Sequence, residues 1–77
     1  MVQAYILVQT EVGRAADVAR RIAEIAGVTQ AEYVIGPYDV IVRASADNMD
    51  ELGKLVAAQI GAVDGITRTL TCPVARI

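Results

Sequence analysis

Apolar residues fall in four short strand-like runs along this chain and recur at three- and four-residue spacing in two further stretches. Residues 4–10 (AYILVQT) are β-branched and aromatic and predict a first strand, with Glu11-Val12-Gly13 as a short loop after it. Between residues 14 and 26, Ala15, Val18, Ala19, Ile22 and Ala26 lie on one helical stripe, and Arg14, Asp17, Arg21 and Glu24 on the opposite one. Gly27 follows as the helix terminator. Residues 28–35 and 38–45 predict a second and a third strand, joined at Gly36-Pro37 by a tight hairpin turn. Asn48 stands three residues before Glu51, the capping-box spacing, at the head of a second helix. Met49, Leu52, Val56, Ile60 and Val63 form its expected buried stripe, and Asp50 is spaced to pair with Lys54 on the wet side. Asp64-Gly65 punctuates a turn before a last strand over residues 66–75, where Pro73 cannot donate to a central ladder and so places the strand on an edge.

The element order is therefore β-α-β-β-α-β, the split β-α-β arrangement, in which this reading places strands one and three parallel at the centre of the sheet. Right-handed crossovers put both helices on one face. The other face is expected to be covered as well, because both parities of the strands are apolar: Ile6 and Val8 against Tyr5 and Leu7, Val40 and Val42 against Ile41. The simplest cover is a second copy of the chain, packed sheet on sheet in an isologous dimer.

Composition strengthens that expectation. The chain has 77 residues, enough for one domain, and 55% of them are hydrophobic, more than one small core consumes. It has no histidine and a single cysteine, Cys72, so an intramolecular disulfide and a structural zinc site are both excluded. No cofactor and no metal is expected, and self-association is the remaining route to stability. No apolar run approaches the ~18 residues of a membrane span. Met1 leads straight into strand pattern without the charged and apolar regions of a secretory leader, so no membrane partner and a cytoplasmic location are expected. The net charge of −2 and seven scattered basic residues lack the footprint of a nucleic-acid binder. Arg20-Arg21, the one basic pair, points about 100° apart on a helix and makes no stripe.

Candidate chemistry gathers at two places. Gly36-Pro37-Tyr38-Asp39 reads either as a plain hairpin turn, with Gly36 supplying a conformation other residues resist, or as a polar notch in which the Asp39 carboxylate holds an ammonium group. Thr67, Thr69 and Thr71 share one parity of the last strand, either as an exposed β row or as hydroxyls for a ligand carboxylate. Arg68 reads as an exposed edge charge, Gly13-Arg14 is too little for a phosphate site, and Tyr5, Tyr33 and Tyr38 read as packing residues with polar tips. Cys72 reads as a small buried hydrophobe. Catalysis has little support: there is no histidine, and no residue near Cys72 in sequence would activate its thiolate.

Three stretches together resemble the effector-binding domain of the leucine-responsive/AsnC (Lrp/AsnC, feast/famine) transcription regulators. They are Gly27-Val28, then Gly36-Pro37-Tyr38-Asp39-Val40-Ile41-Val42, then Gly65-Ile66-Thr67-Arg68-Thr69-Leu70-Thr71. The resemblance covers essentially the whole chain, residues 1–77, as a single ligand-binding domain. It implies a ferredoxin-like α+β sandwich of the dimeric α+β barrel type, a four-stranded antiparallel sheet with two helices on one face. It also implies a non-enzymatic amino-acid sensor that dimerises through its sheets, assembles into rings such as octamers, and works on transcription alongside full-length regulators of the family. The implied effector site lies between subunits and carries over to Gly36, Tyr38, Asp39, Thr67 and Thr69. Full-length members start with a helix-turn-helix domain, whereas this sequence starts at the first strand, so it resembles the stand-alone form and direct nucleic-acid binding is not expected. The alternatives are a small dimeric α+β barrel enzyme and a purely structural oligomerisation module.

Overall fold

A computed structural model describes residues 1–75. Its elements are β1 (Val2–Thr10), α1 (Ala15–Ala23), β2 (Val28–Tyr33), β3 (Val40–Ala46), α2 (Met49–Lys54), which runs on as a π-helical segment (Leu55–Ile60), and β4 (Ile66–Pro73). The strands form one sheet in the order β2-β3-β1-β4. β1 and β3 are the central pair, but they run antiparallel, with Ala4 opposite Ala44 and Val8 opposite Val40. The expectation that strands one and three are parallel is thus corrected. The right-handed crossover through α1 aligns β1 with β2; β3, the hairpin partner of β2, inserts between them and must run the other way. Pro73 lies on an edge strand as predicted, opposite Ala4.

Even-numbered residues of the central strands build the core. Ala4, Ile6, Val8, Val40, Val42 and Ala44 are buried in one cluster with Ala15, Val18, Ala19 and Ile22 of α1 and with Leu52, Leu55 and Ile60. Both helices therefore cover the same sheet face. The odd-numbered residues point the other way. Leu7 lies between Ile41 and Leu70 across three strands, Tyr5 lies between Arg43 and Cys72, and the Arg43 guanidinium sits 5.6 Å from the centre of the Tyr5 ring. Tyr5, Ile41 and Leu70 are exposed in the single chain. Cys72 is exposed here too, not buried as expected: its neighbours Thr71 and Pro73 pair with Ile6 and Ala4, and strand alternation turns the thiol to the open face.

Local punctuation works largely as the residue types dictate. α1 tightens after Ala23 through bonds from Glu24 N to Arg21 O (3.2 Å) and Ile25 N to Ile22 O (3.0 Å), so it ends short of Ala26. Gly27 then takes φ +96° and accepts from Ser45 N at 2.8 Å. A Cβ at Gly27 would stand 3.1 Å from Ser45 O, so both conformation and space call for glycine. Asn48 Oδ1 accepts from Glu51 N at 2.9 Å, the predicted cap.

Two pairings differ from the sequence pattern. Lys54 pairs with Glu51 (3.5 Å), one turn back, and not with Asp50. Arg20 and Arg21, on adjacent flanks of α1, both converge on Asp17, at 3.1 Å for Arg21, so the one basic pair shares a single carboxylate. Such exposed pairs contribute about 1 kcal/mol at most.

The second helix departs from its expected stripe. Leu52, Leu55 and Ile60 are buried, Val56 and Val63 are half-buried, and Met49 is 56% exposed. Gly61 N bonds to Val56 O at 2.9 Å, five residues back, and this wider turn shifts the inward face by one position.

Candidate functional site

The hairpin between β2 and β3 is longer than the tight turn expected at Gly36-Pro37. β2 ends at Tyr33 and β3 starts at Val40, and the loop is closed by Val34 N to Asp39 O at 2.9 Å. Gly36 is not among the glycines with positive φ, and a Cβ there would meet nothing within 4 Å, so the turn does not need glycine for its backbone. Pro37 offers no N–H, and its carbonyl accepts from Gln9 Nε2 at 3.0 Å, which pins the loop to β1.

Asp39 is the fixed point of this end of the molecule. Its N–H donates to Val8 O at 2.9 Å, and its Oδ2 accepts from Thr10 N at 2.8 Å and Thr10 Oγ1 at 3.3 Å. The half-buried carboxylate thus takes over the place of a ladder carbonyl just before β3 starts, beside the last residue of β1. It borders a hollow of about 320 Å³ lined by Thr10, Glu11, Val12, Gly13, Ala15, Ala16, Tyr33 and Asp39. That volume is at the lower end of small-molecule sites.

Gly36 and Tyr38 line a different hollow, about 290 Å³, on the open sheet face with Leu7, Val34, Ile35, Pro37 and Ile41. Its walls are mostly hydrocarbon, so it suits apolar contact better than recognition of charge. Thr67 and Thr69 line neither hollow. A register shift opposite Gln9 and Thr10 leaves Thr67 without a cross-strand partner and exposed, while Thr69 lies opposite Val8 and is half-buried. β1 separates β4 from β3, so Thr69 and the start of β3 are two strand spacings apart, roughly 10 Å. Of the five carried-over residues, the structure therefore brings Gly36 and Tyr38 together, sets Asp39 in the neighbouring hollow, and leaves Thr67 and Thr69 on the far side of β1.

Thr10, Glu11 and Tyr33 were not singled out as site residues from the sequence. Thr10 and Asp39 are 29 positions apart, and only the pairing of Val8 with Val40 reveals that they meet. Among the described residues, no group of three or more His, Cys, Asp or Glu side chains is placed to hold a metal ion, and no helix is long and apolar enough to cross a membrane.

This architecture, with a small hollow at its hairpin end, is a ferredoxin-like β-α-β-β-α-β sandwich, a small α+β domain. The chain belongs to the Lrp/AsnC ligand binding domain family, whose family model matches residues 3–77. It is 34% identical over 55 residues to an uncharacterized HTH-type transcriptional regulator of Pyrococcus furiosus; the match covers 71% of this chain and 37% of that regulator's length. The crystal structure of TTHA0845 from Thermus thermophilus superposes with a TM-score of 0.93 at 28% identity, covering 100% of this chain and 96% of that one. A transcriptional regulator of Neisseria meningitidis, solved as its complex with L-Met, shares the fold at a TM-score of 0.84 and 18% identity, covering 97% of this chain and 50% of that one. Several of its relatives are thus named as transcriptional regulators, and this chain spans little more than a third of the P. furiosus one.

Proposed function

We propose that residues 1–77 act as one non-enzymatic, self-associating ligand-binding domain that senses a small effector, an amino acid, and modulates transcription through partner regulators of its family in the cytoplasm. The observation that carries this reading is the Asp39 carboxylate, held by Thr10 at the edge of a hollow large enough for a small molecule, in a chain of this family. A fixed carboxylate suits the ammonium group that every free amino acid carries. The neighbouring regulator that was solved with L-Met supports the ligand class.

In this reading the site is completed by a second subunit. Val12, on the wall of the hollow, and Ile35, on the hairpin, are fully exposed in the single chain, and in this reading a neighbouring subunit covers them. A neighbour placed there brings Gly36, Tyr38, Thr67 and Thr69 of one copy within reach of Asp39 of another, although they do not share a hollow within one copy. The open sheet face forms the dimer, and dimers build the larger ring.

Titration calorimetry with each of the twenty free amino acids, together with solution mass measured with and without a mixture of them, tests the proposal. Binding of at least one amino acid by a multimeric protein is expected. A monodisperse monomer, or no binding by the wild type, defeats it. A purely structural oligomerisation module is the second reading, favoured by the hydrocarbon walls of the hollow that holds Gly36 and Tyr38; a stable multimer that binds none of the twenty would select it.

A further inference from the structure

We propose that Arg14, which does not line the Asp39 hollow, is a positioning residue for it, holding the β1–α1 loop that forms one wall onto the turn that opens β4. The inference rests on reading that hollow as the effector site. Glu11, Val12 and Gly13 make the wall, and Gly13 at φ +82° has no atom within 4 Å of where a Cβ would lie, so this stretch of loop has little packing of its own.

What fixes the loop is a closed circuit of contacts around Arg14. Its Nη2 lies 3.4 Å from both the backbone oxygen and Oδ2 of Asp64, and 3.8 Å from Asp17 Oδ2. Its stem lies on Gly65: a Cβ there would stand 3.2 Å from Arg14 Cζ and 3.3 Å from Arg14 Cβ. Beneath the side chain, Glu11 N donates to Gly65 O at 2.8 Å and Arg14 N donates to Glu11 O at 3.0 Å. Gly65 itself takes φ +100°, so glycine is required there by its own backbone as well as by the arginine stem.

The consequence is a mechanical tie between the two parts of the proposed site. The wall of the Asp39 hollow is anchored to Asp64-Gly65, and Thr67 follows two residues later. A ligand that orders the loop is felt at the start of β4, and a loop released from β4 binds that ligand less well because it must first be ordered. All three polar contacts fall on the one nitrogen Nη2, while the guanidinium carbon rests against Gly65, so a lysine ammonium can reproduce the first but not the second.

Amide hydrogen exchange and amino-acid titration of the wild type, Arg14→Ala, Arg14→Lys and Asp64→Asn test the proposal. Arg14→Ala is expected to speed exchange of the Glu11 and Arg14 amides about tenfold, and Asp64→Asn about two- to fivefold, with core amides such as those of Ile6 and Val42 unchanged. Both are expected to weaken the amino acid that the wild type binds by similar factors, and Arg14→Lys to restore part of each effect. Asp64 is mostly exposed, so its variant keeps the test open should Arg14→Ala not fold. Unchanged exchange at Glu11 in Asp64→Asn and in any folded Arg14→Ala overturns the tie. Faster exchange with unaltered affinity overturns its positioning role. If the wild type binds none of the twenty, the effector reading fails and so does positioning of that site, while exchange at Glu11 still reports whether Arg14 holds the loop.

Discussion

Asp39 and Thr10, 29 residues apart in sequence, are joined twice: one carboxylate oxygen of Asp39 accepts both the backbone N–H and the hydroxyl of Thr10. The two bonds carry different consequences. Asp39→Ala strips the acceptor from a part-buried N–H and should cost about 1–3 kcal/mol of stability, read as a lowered urea midpoint with unchanged slope. Asp39→Asn keeps an acceptor oxygen and should cost less than about 1 kcal/mol, yet it removes the charge proposed to hold the effector's ammonium. A folded Asp39→Asn protein should therefore lose at least about tenfold in amino-acid affinity, because a hydrogen bond to a charged group contributes about 1.5–3 kcal/mol. Unchanged affinity would remove Asp39 from the site.

Gly61 should tolerate no side chain without cost. Its N–H closes the wide turn onto Val56 O, and a Cβ on it would come within 2.6 Å of Ala57 O, a backbone atom. Gly61→Ala either distorts the last turn or forces it back toward α-helical spacing, which turns Ile60 away from the core. The expected loss is about 1–3 kcal/mol by chemical denaturation, despite alanine's better helix propensity. A gain in stability would show that the wide turn is not the ground state.

Much of the architecture was legible because it rests on short-range rules. Period-two and period-3.6 patterns located every strand and both helices, Asn48 marked the start of α2 and Pro73 an edge, while Gly27 marks the turn into β2 and α1 ends earlier, at Ala23. The buried stripe of the second helix was missed for a local reason, an N–H that bonds five residues back. Two other failures come from geometry set by partners distant in sequence: the direction of β3 relative to β1 follows from the crossover, and the exposure of Cys72 from its register with Tyr5. The candidate site was legible only in part for the same reason. Asp39 could be noticed as a carboxylate after a turn, but its partner Thr10 and its neighbour Tyr33 come from other strands. Nothing local signals that Gly36 and Tyr38 face a different hollow.

The cap on α2 should be separable from everything else. Asn48 Oδ1 holds the Glu51 N–H on a short helix whose first turn has no other side-chain cap among the described bonds. Asn48→Ala is expected to cost about 1 kcal/mol, and Asn48→Asp or Asn48→Ser much less, as read from thermal or urea unfolding. Amino-acid binding should not change, because the cap lies away from the hairpin end. A change in affinity would place part of the site near α2.

The open sheet face gives the sharpest test of assembly. Ile41, Leu7 and Leu70 form a row across three strands, with Leu7 at its centre and half-buried even in the single chain. If a second copy covers this face, each of these side chains gains about 1.5–3 kcal/mol from leaving water, and a lysine in place of Ile41 must be desolvated even where Glu32, opposite it on β2, pairs with it. Ile41→Lys, at 37% exposure in the single chain, should keep the circular-dichroism spectrum while dropping the mass measured by light scattering to that of a monomer. Gln59→Lys, on an exposed position of the helical segment that covers the opposite face of the sheet, is the matched control and should keep the wild-type mass. A folded Ile41→Lys protein of wild-type mass would move the subunit interface away from the sheet, and with it the expectation that the apolar surplus of this chain serves dimerisation.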